Sequence, residues 1–314
     1  MLSTTYEVSV KGKIQRVPAV LLDDIVIVTK GQFIRVGEVF DECWLDANSM
    51  PDPYRVLERL RDVDSKPDLF TFAQRVPDTQ PLFPFHMEWD NMAVIPVSSY
   101  DAWFREQISR SSQKAIRAGE KKGVVVREDQ FNEKYIRGVM SIYNESPIRH
   151  GRKYWHYGKD FSAVQAENGT YRERSTFLGA YFNDEMIGYM KIIWDHHSAS
   201  IMQIVSKMAF LDKRPNNAFL SEAVRLCSER GVKYLLYGPF VYGSKGEDSL
   251  TSFKKANGFI RVNLPRYYVP LTSKGGIALR LGLHKNPKDM MPQWLRTRFI
   301  NIRDKWYSSR VSWG

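Results

Sequence analysis

Apolar positions change period several times along the chain, and each change predicts an element. Residues 17–22, 25–28 and 32–36 are short runs rich in branched side chains, separated by Asp23-Asp24 and Lys30-Gly31, and predict strands. A short helix is predicted over 52–61 and a strand over 68–72. Residues 77–96 carry four prolines with Phe83, Phe85 and Trp89, which predicts an extended, partly buried segment. Residues 100–122 then read as one long helix, opened by Ala102, Trp103 and Ile108 and stopped at Gly123.

After Gly123 the pattern predicts a strand over 124–127 and a helix over 130–143, with Phe131, Tyr135, Val139 and Ile142 on one side. A polar, aromatic loop and a helix over 161–166 follow. Strands over 176–182 and 186–194 are joined by an Asn183-Asp184 turn, and a turn at 195–198 leads to a strand over 199–207. Residues 217–230 form an amphipathic helix that buries Phe219, Leu220, Ala223, Val224 and Cys227 and ends at Gly231. The pattern closes with a strand over 232–237, a helix over 249–256, strands over 259–263 and 267–271, a linker at Lys274-Gly275-Gly276 and a helix over 293–307.

Composition narrows the class. With 314 residues, 43% hydrophobic and 26% charged, the chain has room for one large or two medium domains and is not a disordered sequence. The net charge of +11 favours an anionic partner: nucleic acid, a phosphorylated cofactor or an anionic membrane surface. Cys43 and Cys227 provide no disulfide framework and no zinc-type spacing, so no metal is expected; Asp195, His196 and His197 read as exposed hairpin residues. Residues 1–13 are polar with no signal-peptide core, and no apolar run is long enough to span a membrane. A cytoplasmic protein, at most peripheral at the inner membrane face, is expected.

The charge is unevenly spread. Between Arg105 and Arg127 stand seven basic residues against two acidic ones, and Arg110, Lys114, Arg117 and Lys121 fall on one helical face. Such a stripe is either a solvated face or a phosphate contact. From Ile277 onward there are eight basic residues against two acidic, interleaved with Trp294, Phe299, Trp306 and Tyr307. A basic aromatic tail of this kind suits anionic lipid or a nucleic-acid backbone, or docks on its own domain.

Over residues 123–272 the order strand, two helices, three antiparallel strands, helix, strand, helix, two strands resembles that of the GNAT acyltransferases. The run SLTSFKKANGF from Ser249 to Phe259 resembles their late helix and closing Gly-Phe, and AGEKKGV from Ala118 to Val124 looks like their Fem-type branch. That branch includes the aminoacyltransferases that build peptidoglycan bridges, and its members pair two GNAT-like halves. The resemblance implies a mixed α/β (α+β) fold with a central, mostly antiparallel sheet flanked by helices. It implies a divergent half-domain over 1–122, an acyltransferase domain over 123–272 and a basic helical tail over 273–314. It also implies transfer of an acyl or aminoacyl group from acyl-CoA or aminoacyl-tRNA to an amine acceptor, a cell-envelope or sugar precursor being one class. The alternative is an inactive scaffold that binds nucleic acid or anionic membrane through its basic faces.

GNAT enzymes grip the donor pyrophosphate with a glycine-patterned loop at the start of the long helix, where free N–H groups and the helix dipole act. The matching stretch here is Lys213, Arg214, Pro215, Asn216, Asn217 and Ala218. Asn216 is expected to take the left-handed conformation that glycine normally supplies, with Ala218 last and Lys213 on phosphate. The acyl group is expected between 202–205 and 235–238, its carbonyl polarised by the amides near Ile204 and Val205. The family's general-acid tyrosine is absent: Lys254 follows Phe253, and Tyr237 and Tyr242 are the nearest substitutes. The acceptor is expected at the loop from Glu145 to Lys159, with Arg149 and Arg152 for a phosphate or carboxylate, Tyr154 and Tyr157 as contacts, and Glu145 or His156 as base.

Overall fold

A computed structural model describes residues 4–10, 13–23, 25–46, 52–64, 66–149, 151–242 and 248–285. The chain divides into two compact units. The first takes residues up to Asn91 and returns at Asn263, and the second runs Met92–Val262. The expected boundary at 122/123 therefore falls inside the second unit, and the expected tail helix over 293–307 lies outside the described residues.

In the first unit β1 (Thr4–Val10), β2 (Lys13–Leu22), β3 (Ile25–Lys30) and β4 (Val36–Val39) pair antiparallel in sequence order. β5 (Leu69–Ala73) joins β4 in parallel, and β14 (Ile260–Pro270) pairs antiparallel with β5, Tyr267 opposite Phe72. The helix α1 (Pro53–Arg61) starts where the Asp52 carboxylate accepts the Tyr54 amide and Pro53 fills the first turn. It buries Val56, Leu57 and Leu60 against Ile27, Phe70, Phe72 and Tyr267.

Residues 32–35 are not the strand their composition predicts. The buried Asp68 takes over their backbone: its Oδ2 accepts the Arg35 amide at 2.9 Å, and its own amide donates to the Arg35 carbonyl at 2.7 Å. The expected linker at 274–276 is also corrected, to the opening of helix α8 (Ser273–Arg280). Gly275 is needed there for closeness rather than freedom, since a Cβ would sit 1.9 Å from the Asp68 carbonyl oxygen. Thr272 caps the helix by accepting the Gly275 amide, and its hydroxyl donates to Asp68 Oδ1.

In the second unit β6 (His86–Pro96) contributes its last residues to a sheet ordered β6, β13, β12, β11, β10, β7. These strands are β7 (Val125–Asp129), β10 (Ser175–Phe182), β11 (Glu185–Trp194), β12 (Ser198–Ser206) and β13 (Tyr234–Leu236). All neighbours are antiparallel except β12 and β13. The two predicted strands over 259–263 and 267–271 are one continuous strand, β14.

The predicted helix over 100–122 is broken. A short turn α2 (Tyr100–Ala102) widens into a π-helical turn over Trp103–Gln107, Ile108 is extended, and α3 (Arg110–Lys121) starts afresh with Ser109 capping the Ser112 amide. The break buries Trp103 completely, its indole N–H donating to the Asn257 carbonyl. α3 and α6 (Pro215–Glu229) cover one face of the sheet, where Ile116, Phe219, Leu220, Val224 and Cys227 meet Met190, Ile192 and Leu235. α4 (Glu133–Tyr143) and α5 (Phe161–Asn168) cover the other, where Tyr135, Val139, Ile142 and Val164 meet Phe177 and Tyr189. The hairpin of β8 (Ile148–Arg149) and β9 (Arg152–Lys153) joins α4 to α5, and α7 (Ser249–Ala256) precedes β14.

Asp68→Ala orphans the Arg35 amide and the Thr272 hydroxyl, so it should destabilise the chain by about 1–3 kcal/mol in urea melts. Burial alone would raise the Asp68 pKa, but the Arg35 amide, Thr272 and Lys274 hold it below the ordinary value of 3.8. The stabilisation is present above that value and lost as pH falls through the lower folded value. The variant's deficit should thus persist at pH 5–7 and shrink only in stronger acid.

Candidate active site

β12 and β13 pair through three residue pairs only, Ser198–Tyr234 to Ser200–Leu236. Beyond them the chain leaving β13 is held elsewhere: the Tyr237 amide donates to the Ala93 carbonyl and the Ala93 amide donates to Gly238. β12 meanwhile follows β11, with an extra residue, Met202, bulged between Ile201 and Gln203. The sheet therefore splays, and residues 201–205 turn half of their backbone groups to an edge that no strand of the described residues covers. Ile204 packs toward the α6 face and Val205 toward the α4 face.

A cavity of about 430 Å³ opens between α3, the start of α6 and the end of α7. Ser111, Ala115 and Ala118 give it a low wall along α3, Phe253 and Asn257 close it from α7, and Lys114 and Arg214 place two cations on it. Gly119 makes the approach of α3 to α6 close, since a Cβ there would stand 3.0 Å from the Lys213 carbonyl oxygen. Arg214, not Asn216, adopts the left-handed conformation (φ 60°), and no side chain caps the helix it precedes. Pro215 fills the first helical position, so the turn is set by proline and arginine in place of glycine.

The other residues expected on the donor have different neighbours. Asn216 accepts the Ser206 hydroxyl at 2.7 Å, tying the end of β12 to α6. Asn217 lines the cavity and donates to Asn257 at 2.9 Å. Ala218 packs on the core, and Lys213 lies 3.2 Å from Asp212 and over the Phe182 ring. Of the basic stripe on α3, Lys114 lines the cavity, while Arg117 stacks on Phe104.

On the α4 face the predicted acceptor loop contributes a polar, aromatic cluster. Arg149 donates to the carbonyl of Ser206 and stacks over Tyr154, so the loop is fastened to the end of β12. Glu145 uses both oxygens on the amides of Met208 and Ala209, at 2.7 and 2.9 Å. Arg152 lies in the β8–β9 hairpin, Trp155 and Tyr157 are exposed, and His150 lies outside the described residues. His156 is buried against Tyr143, with ring centroids 4.1 Å apart, and its Nδ1 is 3.3 Å from Glu167, which also takes Lys159 at 2.6 Å. Burial pushes the His156 pKa below 6.5 despite Glu167, so its imidazole is neutral at pH 7. Tyr143 and Tyr189 share a hydrogen bond of 2.6 Å, and Tyr189 donates to Gln203 in β12.

Two lysines with no charged hydrogen-bond partner among the described residues flank the splay. Lys191, in β11 opposite Gln203, donates to the carbonyls of Asn168 and Thr170 at the end of α5. Lys254 donates to the Pro239 carbonyl at 2.7 Å and lies 4.6 and 4.9 Å from the ring centres of Tyr237 and Tyr242. Both are fully buried, and burial lowers each pKa to about 8. The two tyrosines expected as proton donors thus flank the Lys254 ammonium.

No protein-family model and no curated protein sequence matches the chain. Solved structures do. FemX is 10% identical over 89% of this chain and 90% of its own, with a TM-score of 0.58. The C-terminal domain of a putative lysylphosphatidylglycerol synthetase from Agrobacterium fabrum is 11% identical over 84% and 87%, with a TM-score of 0.55. L-PGS from Bacillus licheniformis is 16% identical over 82% and 84%, with a TM-score of 0.52. The fold is GNAT/Fem-like. Within that GNAT/Fem-like frame, Arg214, Lys191 and Glu167 acquire positions that spacing alone does not reveal. Lys191 finds its partners at the end of α5 and Arg214 faces α3 and α7 across the cavity, while Glu167 takes His156 and Lys159 from the loop just before α5; only the apolar neighbours of Lys191 in β11 signal a buried cation. No helix among the described residues is long and apolar enough to cross a membrane.

Between pH 8 and about 10 the unfolded lysines still bind protons while Lys191 and Lys254 in the fold do not, so stability should rise with pH. Lys254→Met should flatten part of that rise in melts recorded at pH 7, 8, 9 and 10, and a parallel curve would contradict the burial.

Proposed function

We propose that the chain transfers an acyl or aminoacyl group from an acyl-CoA or aminoacyl-tRNA donor to an amine. What carries this is the splay of β12 from β13 together with a cationic cavity at the start of α6, the helix tied to the end of β12, where Lys114, Arg214 and an uncapped helix start face the same space. Both donors carry phosphates and an activated carbonyl on one molecule, and this arrangement suits that pairing. The phosphates lie toward Arg214, and the carbonyl lies at the open edge near Ile204 and Val205.

The amine approaches from the α4 face, past the loop of Arg149, Arg152, Tyr154 and Tyr157. As its nitrogen forms the new C–N bond it must lose a proton. His156, kept neutral by burial and oriented by Glu167, is the group suited to take it. Negative charge grows on the carbonyl oxygen and then on the departing thiolate or ribose oxygen, and the Lys254 ammonium stabilises it. Collapse breaks the C–S or C–O bond, and the leaving group is reprotonated. A lipid-linked or sugar amine at the membrane face fits the same chemistry, and the lysylphosphatidylglycerol synthetases among the structural neighbours make such acceptors worth testing.

Calorimetry of acetyl-CoA, longer acyl-CoAs and charged tRNA at two salt concentrations tests the donor. Saturable, salt-sensitive binding of one class is expected, and Arg214→Ala should weaken it about 10-fold or more, the usual worth of a charged hydrogen bond. Binding of none of them would sink the proposal. With the donor in hand, Lys254→Met should lower kcat by about 10²–10³ with little change in KM. His156→Gln should lower kcat by about 10²–10⁴.

A further inference from the structure

Alternate residues of a strand share a face, so His86 and Glu88, at the start of β6, stand side by side in the first unit. His284 reaches them on the turn after α8, where Gly282 (φ 68°) reverses the chain. One ligand atom from each of the three lies within 4.8 Å of the other two. Both imidazoles present Nε2 to the same oxygen, Glu88 Oε1, at 3.6 Å from His86 and 2.9 Å from His284.

The site is built on one side and open on the other. The His284 side chain is 2% exposed and stacks on Tyr268 with ring centres 4.6 Å apart, and its Nδ1 has no hydrogen-bond partner among the described residues. The His86 side chain is 48% exposed. Lys285 Nζ also lies 3.1 Å from Glu88 Oε1, which is enough to neutralise a carboxylate. Two imidazoles converging on an oxygen that already has an ammonium are surplus to an ion pair. Two imidazole nitrogens and a carboxylate oxygen at this spacing are the ligand set of a borderline divalent ion.

We propose that His86, Glu88 and His284 bind a divalent first-row transition ion, with its remaining positions open to water on the His86 side. The ion displaces Lys285 from Glu88 and fastens the turn after α8 to β6, so its binding energy adds to the stability of this unit. This site is independent of the acyl-transfer reading.

Zinc(II) titrated by calorimetry into the full, chelator-stripped chain should bind once per chain and raise the melting temperature. Cobalt(II) should give visible ligand-field bands. His86→Ala leaves a buried network intact and should fold with the melting temperature of the metal-free protein, while its zinc Kd weakens beyond the roughly 10- to 100-fold that loss of an outer-shell partner causes. Lys285→Ala should bind zinc more tightly, because no ammonium competes for Glu88. Replacing His196 and His197 should change nothing. Absence of saturable binding, equal affinity in His86→Ala, or loss of binding on replacing His196 and His197 would each overturn the proposal.

Discussion

The early parting of β12 and β13 is the constraint on which the second unit depends. A parallel pair that stops after three residues leaves backbone groups without a ladder, to be met by water, side chains or a bound molecule. The protein holds the parting open from both sides. The chain after β13 is bonded to Ala93 of β6, and β12 is bent toward β11 by the bulge at Met202. The cavity lined by α3 and the polar cluster under α4 lie on opposite faces of the sheet.

Packing places charge around that opening at a definite expense. Lys191 and Lys254 are buried with carbonyl oxygens and aromatic rings as partners and, among the described residues, no carboxylate on their hydrogen bonds. An ammionium so placed is easily deprotonated, and it is also poorly screened, so it acts strongly on any charge that develops beside it. Glu145 shows the opposite case. Both its oxygens are committed to backbone amides, which fixes the turn ahead of α6 and leaves its carboxylate a holding role.

Much of this order is legible in the residues. Asp52-Pro53, Asn183-Asp184 and Gly123 mark their turns and caps by local chemistry, and the strands and helices between Val125 and Ala256, the β8–β9 hairpin apart, follow from period alone. Where tertiary contacts override local preference, the residues mislead. Residues 32–35 have strand composition but give their backbone to Asp68, a residue far along the chain. Gly275 looks like a linker and is a tight helix start, because the contact that requires it is with Asp68. The helix over 100–122 breaks at Ile108 so that Trp103 can be buried against Asn257. The polar, aromatic loop over 145–159 is visible as composition, whereas the pairing of His156 with Glu167 and the placement of Arg214 and Lys254 needed the fold.

Amide hydrogen exchange, followed with and without a saturating, non-transferring donor analogue, tests the central claim most directly. If the splay holds the donor, protection should rise at residues 201–205 and at the start of α6 from Arg214 to Ala218, with little change in β1–β3. Saturation of the analogue with no change at either segment would contradict the account.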